Sequence, residues 1–133
     1  MCFLTFSFRQ IILFNNEFIY NNLLGYLAPY LTWKEFDRDL ANDLSLFITG
    51  KLYSRTVLTL PERQMVACAM LAALRATDEL KLHVNAALNV GCDPRKITEI
   101  FFQLATYAGM PAVNEALQVY RDVLKERGEW PIK

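Results

Sequence analysis

The chain has few of the residues from which metal sites and disulfide frameworks are built. Its 133 residues include one histidine and three cysteines, and Cys2, Cys68 and Cys92 form no C-x-x-C pair. This spacing excludes a structural zinc site and a domain stabilised by several disulfide bonds. Unpaired cysteines are typical of the reducing cytoplasm, so we expect a cytoplasmic protein without a metal site.

The chain also lacks an excess of charge and a long apolar run. Fourteen basic and fourteen acidic residues give a formal net charge of zero, with no basic stripe, so we expect no nucleic-acid partner. Residues 1–14 are apolar, but Arg9 interrupts them and no basic leader or cleavage site flanks them. They are too short to span a bilayer, so we expect no membrane partner and interpret them as a packing arm or the start of a first helix.

Apolar residues are abundant. They make up 53% of the chain, against about 45–50% in an average soluble domain. The length is sufficient for a single domain with a sizeable core. The excess of apolar residues predicts that some surface is buried against another copy of the chain.

Helix start and stop signals recur along the chain, whereas strand signals are almost absent. Apolar spacing predicts a first helix over residues 10–27, which Pro29 stops. Thr32 and Thr59 are each followed by glutamate three residues later, the pattern of a capping box, and they predict helices over about 32–48 and 61–75. The fold class is therefore predicted to be all-α.

Three more helices are predicted in the second half. Thr77 caps one that ends at Gly91, and Asp93 with Pro94 begins another that Gly109 closes. Pro111 begins the last, which ends at Gly128. About six helices with short connections after residue 59 indicate an antiparallel helical bundle.

His83 is the residue most suited to proton chemistry, because histidine titrates near neutral pH. It is predicted to lie on the inward face of its helix beside Leu80, Val84 and Ala87. The alternative is a core histidine satisfied by one hydrogen bond.

A polar ridge on the fifth predicted helix lies beside an apolar stripe. Glu99, Gln103 and either Thr106 or Tyr107 are three or four residues apart, so they are surface neighbours. The ridge is either a solvated face or one wall of a cleft shared with His83. Arg63 either points into the same cleft or lies in water.

The residues from Arg55 onward resemble a known family. Thr59-Leu-Pro-Glu-Arg-Gln-Met65, Glu79-Leu-Lys-Leu-His83, Gly91, Ile97-Thr-Glu99, Gln103 and Tyr107-Ala-Gly109-Met-Pro111 are similar to the carboxymuconolactone decarboxylase family. The resemblance covers about residues 50–127. It implies the alkylhydroperoxidase-like all-helical fold and a homotrimer or homohexamer. We divide the chain into an N-terminal arm with the first helix, residues 1–30, and a family-like domain, residues 31–133.

One branch of that family consists of peroxidases with a C-x-x-C pair ahead of the histidine. The resemblance puts those positions at Ala76 and Glu79, and the glutamate of the peroxidase proton relay at Gln64. Peroxiredoxin-like activity would therefore need a lone cysteine, Cys92 or Cys68, and it stays an alternative.

The decarboxylase branch keeps the histidine without the pair. The resemblance implies a lyase without a cofactor, acting on a small carboxylated lactone or related enolisable acid. It implies His83 as proton donor or shuttle, Arg63 as anion anchor, and Glu99 as the group that orients the imidazole or raises its pKa. Tyr107, Gln103 and Arg55 are expected to bind the carboxylate substrate. A noncatalytic oligomeric binding protein is the third alternative.

Overall fold

The computed structural model describes residues 24–133, which form α-helices, one π-helical segment and one 3₁₀ turn, with no strand in that range. They divide into two compact units with the boundary between Val57 and Leu58. The all-α prediction is confirmed. The predicted first helix lies mostly outside the described residues, and the division at residue 30 stays a prediction.

The first unit contains α1 (Leu24–Phe36), α2 (Arg38–Ser45) and a π-helical segment (Leu46–Leu52). The prediction that Pro29 stops a helix is wrong, because Pro29 lies inside α1. A proline inside a helix removes one backbone donor and crowds the carbonyl four residues earlier, and the packing of α1 on α2 offsets this cost. The buried Tyr30 donates from its hydroxyl to Asn42 Oδ1 on α2 at 2.9 Å.

The predicted capping box at Thr32 is also wrong. Thr32 lies within α1, and the next helix begins after Asp37, whose carboxylate accepts from the Leu40 N–H at 2.9 Å. Helical structure then continues through Gly50 to Leu52. Aspartate caps a helix as well as threonine does, and here Asp37 has the extended backbone that a cap requires.

The second unit contains α3 (Leu60–Ala73), α4 (Thr77–Asn89), α5 (Pro94–Gln103), a 3₁₀ turn (Leu104–Thr106) and α6 (Met110–Glu126). The capping box at Thr59 is confirmed. Thr59 Oγ1 accepts from the Glu62 N–H at 3.4 Å, and the Glu62 carboxylate accepts from the Thr59 N–H at 2.7 Å. The Thr59 N–H and hydroxyl both donate to the Glu62 carboxylate, and these two bonds hold the pKa of Glu62 below its ordinary value.

The start of α5 follows its sequence signal, and the start of α4 does not. Asp93 caps α5 by accepting from the Arg95 N–H at 2.8 Å. Thr77 is already helical, and Ala76 occupies the cap position without a side-chain bond. Arg75, at a left-handed φ of 58°, ends α3 directly before Ala76, so the connection is too short to place Thr77 at the cap.

The core of the second unit draws on all four of its helices. Apolar stripes at helical spacing converge on a buried cluster: Cys68, Ala72, Leu80, Val84, Ala87, Ile97, Phe101, Leu104, Val113, Ala116, Tyr120, Val123 and Leu124. Gly91 and Gly128 adopt φ of 86° and 70° just after α4 and α6, a backbone conformation that glycine adopts without strain. Within residues 24–133 no helix is long and apolar enough to cross a membrane.

Tyr120 joins α6 to the start of α5. It is buried, its ring meets Phe101 edge-on at 5.6 Å, and its hydroxyl donates to the Pro94 carbonyl at 2.9 Å.

Tyr120→Phe leaves that hydrogen bond unmade and is expected to lower the free energy of unfolding by about 1–2 kcal/mol, measured by urea denaturation. Tyr107→Phe is the matched control, because Tyr107 is 82% exposed, and we expect a change under about 0.5 kcal/mol. Equal effects would contradict the importance of this bond.

Candidate functional site

His83 lies in the middle of α4, half-buried between α4 and α3. On its own helix the neighbouring Leu80, Val84 and Ala87 are buried in the core. Across the helix pair, His83 Nδ1 is 2.8 Å from Gln64 Oε1 on α3. The imidazole is therefore positioned by the packing of these two helices.

Gln64 determines which ring nitrogen carries the hydrogen. Its side chain is only 4% exposed, on the same α3 stripe as the buried Cys68 and Ala72. An amide oxygen accepts hydrogen bonds and cannot donate, so Nδ1 of His83 is the donor. In the neutral ring the lone pair is then on Nε2, the atom at which His83 can take up a proton.

Burial lowers the pKa of His83 from its ordinary value of 6.5. The direction is opposite to the one that a neighbouring carboxylate would produce. The neutral imidazole is therefore the main form at neutral pH, and the cationic ring is a stronger acid than an exposed histidine.

Arg63 and Glu99 lie on different helices. Arg63 is half-buried on α3, next in sequence to Gln64, and Glu99 is exposed on α5. The hydrogen-bond partner at Nδ1 of the imidazole is Gln64, so the orienting role expected of Glu99 is filled there by an amide. Arg55 belongs to the first unit, where its side chain is exposed after the π-helical segment.

Gln103 and Tyr107 border a groove of about 530 Å³ on the second unit. Its walls are mainly apolar side chains of α3 and α5, and His83 is not among the residues that line it. The residues that line it are Leu58, Glu62, Met65, Val66, Ala69, Met70, Ala73, Ile100, Gln103, Leu104 and Tyr107. Gln103 and Tyr107 thus border the same groove, whereas Glu99 of the predicted ridge does not line it.

The two described cysteines are poor nucleophiles. Burial, with a smaller effect of Cys92, raises the pKa of Cys68 to about 12. Burial also raises the pKa of Cys92, whose Sγ lies 3.5 Å from the Pro61 carbonyl oxygen. Since the thiolate is the reactive form, neither site favours attack on a peroxide.

In the part of the chain that the structure describes, no group of three or more His, Cys, Asp or Glu side chains could hold a metal ion. The described surroundings of His83 are instead the amide of Gln64 and the apolar core of α4. This arrangement can transfer a proton at Nε2.

Sequence reasoning did not identify Gln64 as the partner of His83. The signal was present, because Gln64, Cys68 and Ala72 are spaced by four residues on an otherwise apolar helix face. A polar side chain on a buried stripe requires a hydrogen-bond partner. Only the packing of α3 on α4 identifies that partner as His83.

Comparisons with known proteins agree with this architecture. The sequence profile of the carboxymuconolactone decarboxylase family matches residues 38–122. A 4-carboxymuconolactone decarboxylase of Acinetobacter baylyi is 35% identical over 99 residues, which cover 74% of this chain and 74% of that protein. An uncharacterised 15.0 kDa protein from the nqo9–nqo10 intergenic region of Paracoccus denitrificans is 30% identical over 82 residues, 60% of this chain and 61% of that protein.

Gln64→Glu tests the contact that orients the ring. A carboxylate beside Nδ1 stabilises the imidazolium, so the pKa of His83 is expected to rise above that of the wild type, which titrates below 6.5. The measurement is an NMR titration of the imidazole protons, which are unambiguous because the chain has one histidine.

Gln103→Glu is the matched control, because it adds the same charge on the groove that His83 does not line. We expect it to leave the titration of His83 nearly unchanged. If both variants shift the pKa of His83 equally, Gln64 is not its specific partner.

Proposed function

Because the chain belongs to the carboxymuconolactone decarboxylase family, we propose that it is a lyase that releases carbon dioxide, without a cofactor, from a small carboxylated lactone or related enolisable acid. The observation that carries the proposal is the half-buried imidazole of His83 with its Nδ1 bonded to Gln64. A histidine whose ring is oriented by a hydrogen bond at Nδ1 and whose pKa is lowered by burial is suited to proton transfer.

The proposed reaction breaks one carbon–carbon bond and forms one carbon–hydrogen bond. When carbon dioxide leaves, its bonding electron pair remains on the substrate and spreads into the conjugated lactone carbonyl. The resulting enolate takes up one proton at carbon, so neither an oxidant nor a reductant is needed. Catalysis requires a donor or cation near the carbonyl oxygen and an acid near the carbon.

In this proposal His83 takes up a proton from solvent water at Nε2 and passes it to the enolate carbon. The pKa lowered by burial makes the cationic ring a stronger acid, and the neutral ring is restored after each turnover. The amide of Gln64 holds Nδ1–H throughout, which keeps the ring in one orientation.

Arg63 is proposed as the anchor for the substrate carboxylate. Its guanidinium can bind a carboxylate through two parallel hydrogen bonds, and it follows Glu62 at the start of α3, one residue before Gln64. Arg55, Gln103 and Tyr107 stay proposals for substrate contacts, and Glu99 stays a proposal for tuning the site.

A thiol peroxidase is disfavoured by the cysteines. The raised pKa values of Cys68 and Cys92 keep both thiols protonated at neutral pH. No C-x-x-C pair exists in the sequence to resolve an oxidised thiol.

We also propose that a second copy of the chain packs on the groove between α3 and α5. Large apolar side chains border it in exposed positions, among them Val66, Met70 and Tyr107, with exposed fractions of 47%, 56% and 82%. Exposed apolar surface of this kind is typical of a contact between proteins. A homotrimer or homohexamer would cover it.

His83→Ala is expected to reduce the release of carbon dioxide from 4-carboxymuconolactone by about 10²–10⁴-fold, because the proton carrier is lost. The circular dichroism spectrum should stay that of a folded helical protein, with a lower melting temperature, because the buried amide of Gln64 loses its hydrogen-bond partner. Added imidazole should restore part of the activity. Undiminished turnover in His83→Ala would remove His83 from the reaction.

The double variant Cys68→Ala, Cys92→Ala is the control for thiol chemistry. It should release carbon dioxide at the wild-type rate per folded molecule. If instead the wild type consumes hydroperoxide and the double variant does not, the peroxidase alternative is correct. If the wild type binds the lactone without turnover, the chain is a binding protein.

Met70→Lys tests the proposed assembly. A charge on a residue that lines the groove opposes burial against a second copy, so light scattering should show a lower mass than for the wild type. Met110→Lys is the matched control, because Met110 is equally exposed, at 54%, but does not line the groove. A monomeric wild type would refute the proposal.

A further inference from the structure

A second concave site lies between α5, α6 and the C-terminal residues, apart from the histidine and the apolar groove. It encloses about 360 Å³, a volume within the range of small-molecule pockets. The residues that line it are Thr98, Phe102, Asn114, Leu117, Gln118, Tyr120, Arg121, Trp130 and Ile132. Neither His83 nor any other residue of the proposed reaction lines this pocket.

Three polar residues of this pocket form one row along α6. Asn114, Gln118 and Arg121 are separated by four and three residues, so their side chains lie on the same face of the helix. An amide, an amide and a guanidinium are the groups that proteins use to bind carboxylates. The row therefore offers several hydrogen-bond donors to one ligand.

Arg121 has hydrogen-bonding capacity that the described residues do not satisfy. Its Nε is buried and has no hydrogen-bond partner there. The nearest carboxylate, of Asp122, is 3.8 Å from Nε, beyond hydrogen-bond distance. Adjacent residues on a helix do not face each other, so this pair is weak. The Arg121 side chain is 42% exposed, so the accessible part of its guanidinium is what an anion in the pocket would bind.

The charge and the aromatic side chains of the pocket indicate which class of ligand it would bind. Among residues 24–133, Arg121 is the only charged residue that lines the pocket, so the pocket favours an anion. Phe102 and Trp130 offer aromatic surface and are 53% and 46% exposed. Aromatic side chains pack well against a flat ring. Tyr120 and Thr98 are already engaged, since both hydroxyls donate to the Pro94 carbonyl, at 2.9 Å and 3.0 Å.

We propose that this pocket binds a small aromatic monocarboxylate, with the carboxylate on Arg121 and the ring between Phe102 and Trp130. The amides of Asn114 and Gln118 contact the polar end of the ligand. The site lies outside the proposed catalytic residues, so a ligand there would act as an effector or a stored reactant and not as the molecule being decarboxylated.

The experiment is an NMR titration of the full chain with benzoate, read at the indole N–H signal of Trp130. That signal is identified by its loss in Trp130→Phe, because the chain has only two tryptophans. We expect the chemical shift of this signal to change as benzoate is added and to reach saturation at millimolar benzoate or below. Benzamide, a neutral molecule of the same shape, should bind at least about tenfold more weakly, because it lacks the charge that pairs with the guanidinium.

Two variants separate the site from general anion binding. Arg121→Gln should weaken benzoate binding at least about tenfold, while Arg95→Gln, an exposed arginine on the first turn of α5, should leave it unchanged. Phe102→Ala is the second test. Loss of the ring surface should weaken the binding of benzoate, but it should not change the shift that inorganic phosphate, which has no ring, produces in the Trp130 signal.

His83→Ala distinguishes benzoate binding in this pocket from the proposed reaction at His83. It should leave benzoate binding intact even where it abolishes turnover, since His83 does not line the pocket. If the Trp130 signal stays fixed at several millimolar benzoate, or Arg121→Gln binds benzoate as well as the wild type, the proposal is wrong.

Discussion

The hydrogen bond between His83 Nδ1 and Gln64 Oε1 is the interaction on which the proposed chemistry depends. It joins the only histidine of the chain to a buried amide on the neighbouring helix, and it assigns the proton to one ring nitrogen. The surrounding core lowers the pKa of the ring, so the neutral imidazole prevails at neutral pH. Any change that separates α3 from α4 would alter the orientation, the tautomer and the acidity of the His83 imidazole together.

The second unit presents two surfaces of different chemistry on the two sides of α5. The side with Ile100 and Gln103 forms an apolar groove with α3, which suits contact with another protein. The side with Thr98 and Phe102 forms a smaller pocket with α6, which contains a guanidinium. The same helix can therefore contribute to assembly on one face and to ligand binding on the other.

Helix boundaries were predictable where the signal is local and its partner is a few residues away. The Thr59 and Glu62 box and the Asp93 cap satisfy backbone N–H groups within their own turn, so the spacing alone was sufficient. The errors at Pro29, Thr32 and Thr77 have the opposite cause. There the outcome depends on packing between helices or on the length of a connection, which single residues do not reveal.

Sequence by itself determined the all-α class and the family resemblance, and it made His83 the proposed proton-transfer residue. Each of these depends on residue type and helical period, both of which are visible in the chain. Only the tertiary structure decided that Gln64 is the ring's partner, that Gln103 and Tyr107 border an apolar groove, and that Arg121 lies in a separate pocket. The physical reason is that these neighbours are distant in sequence and meet only when helices pack, which periodicity within one helix cannot specify.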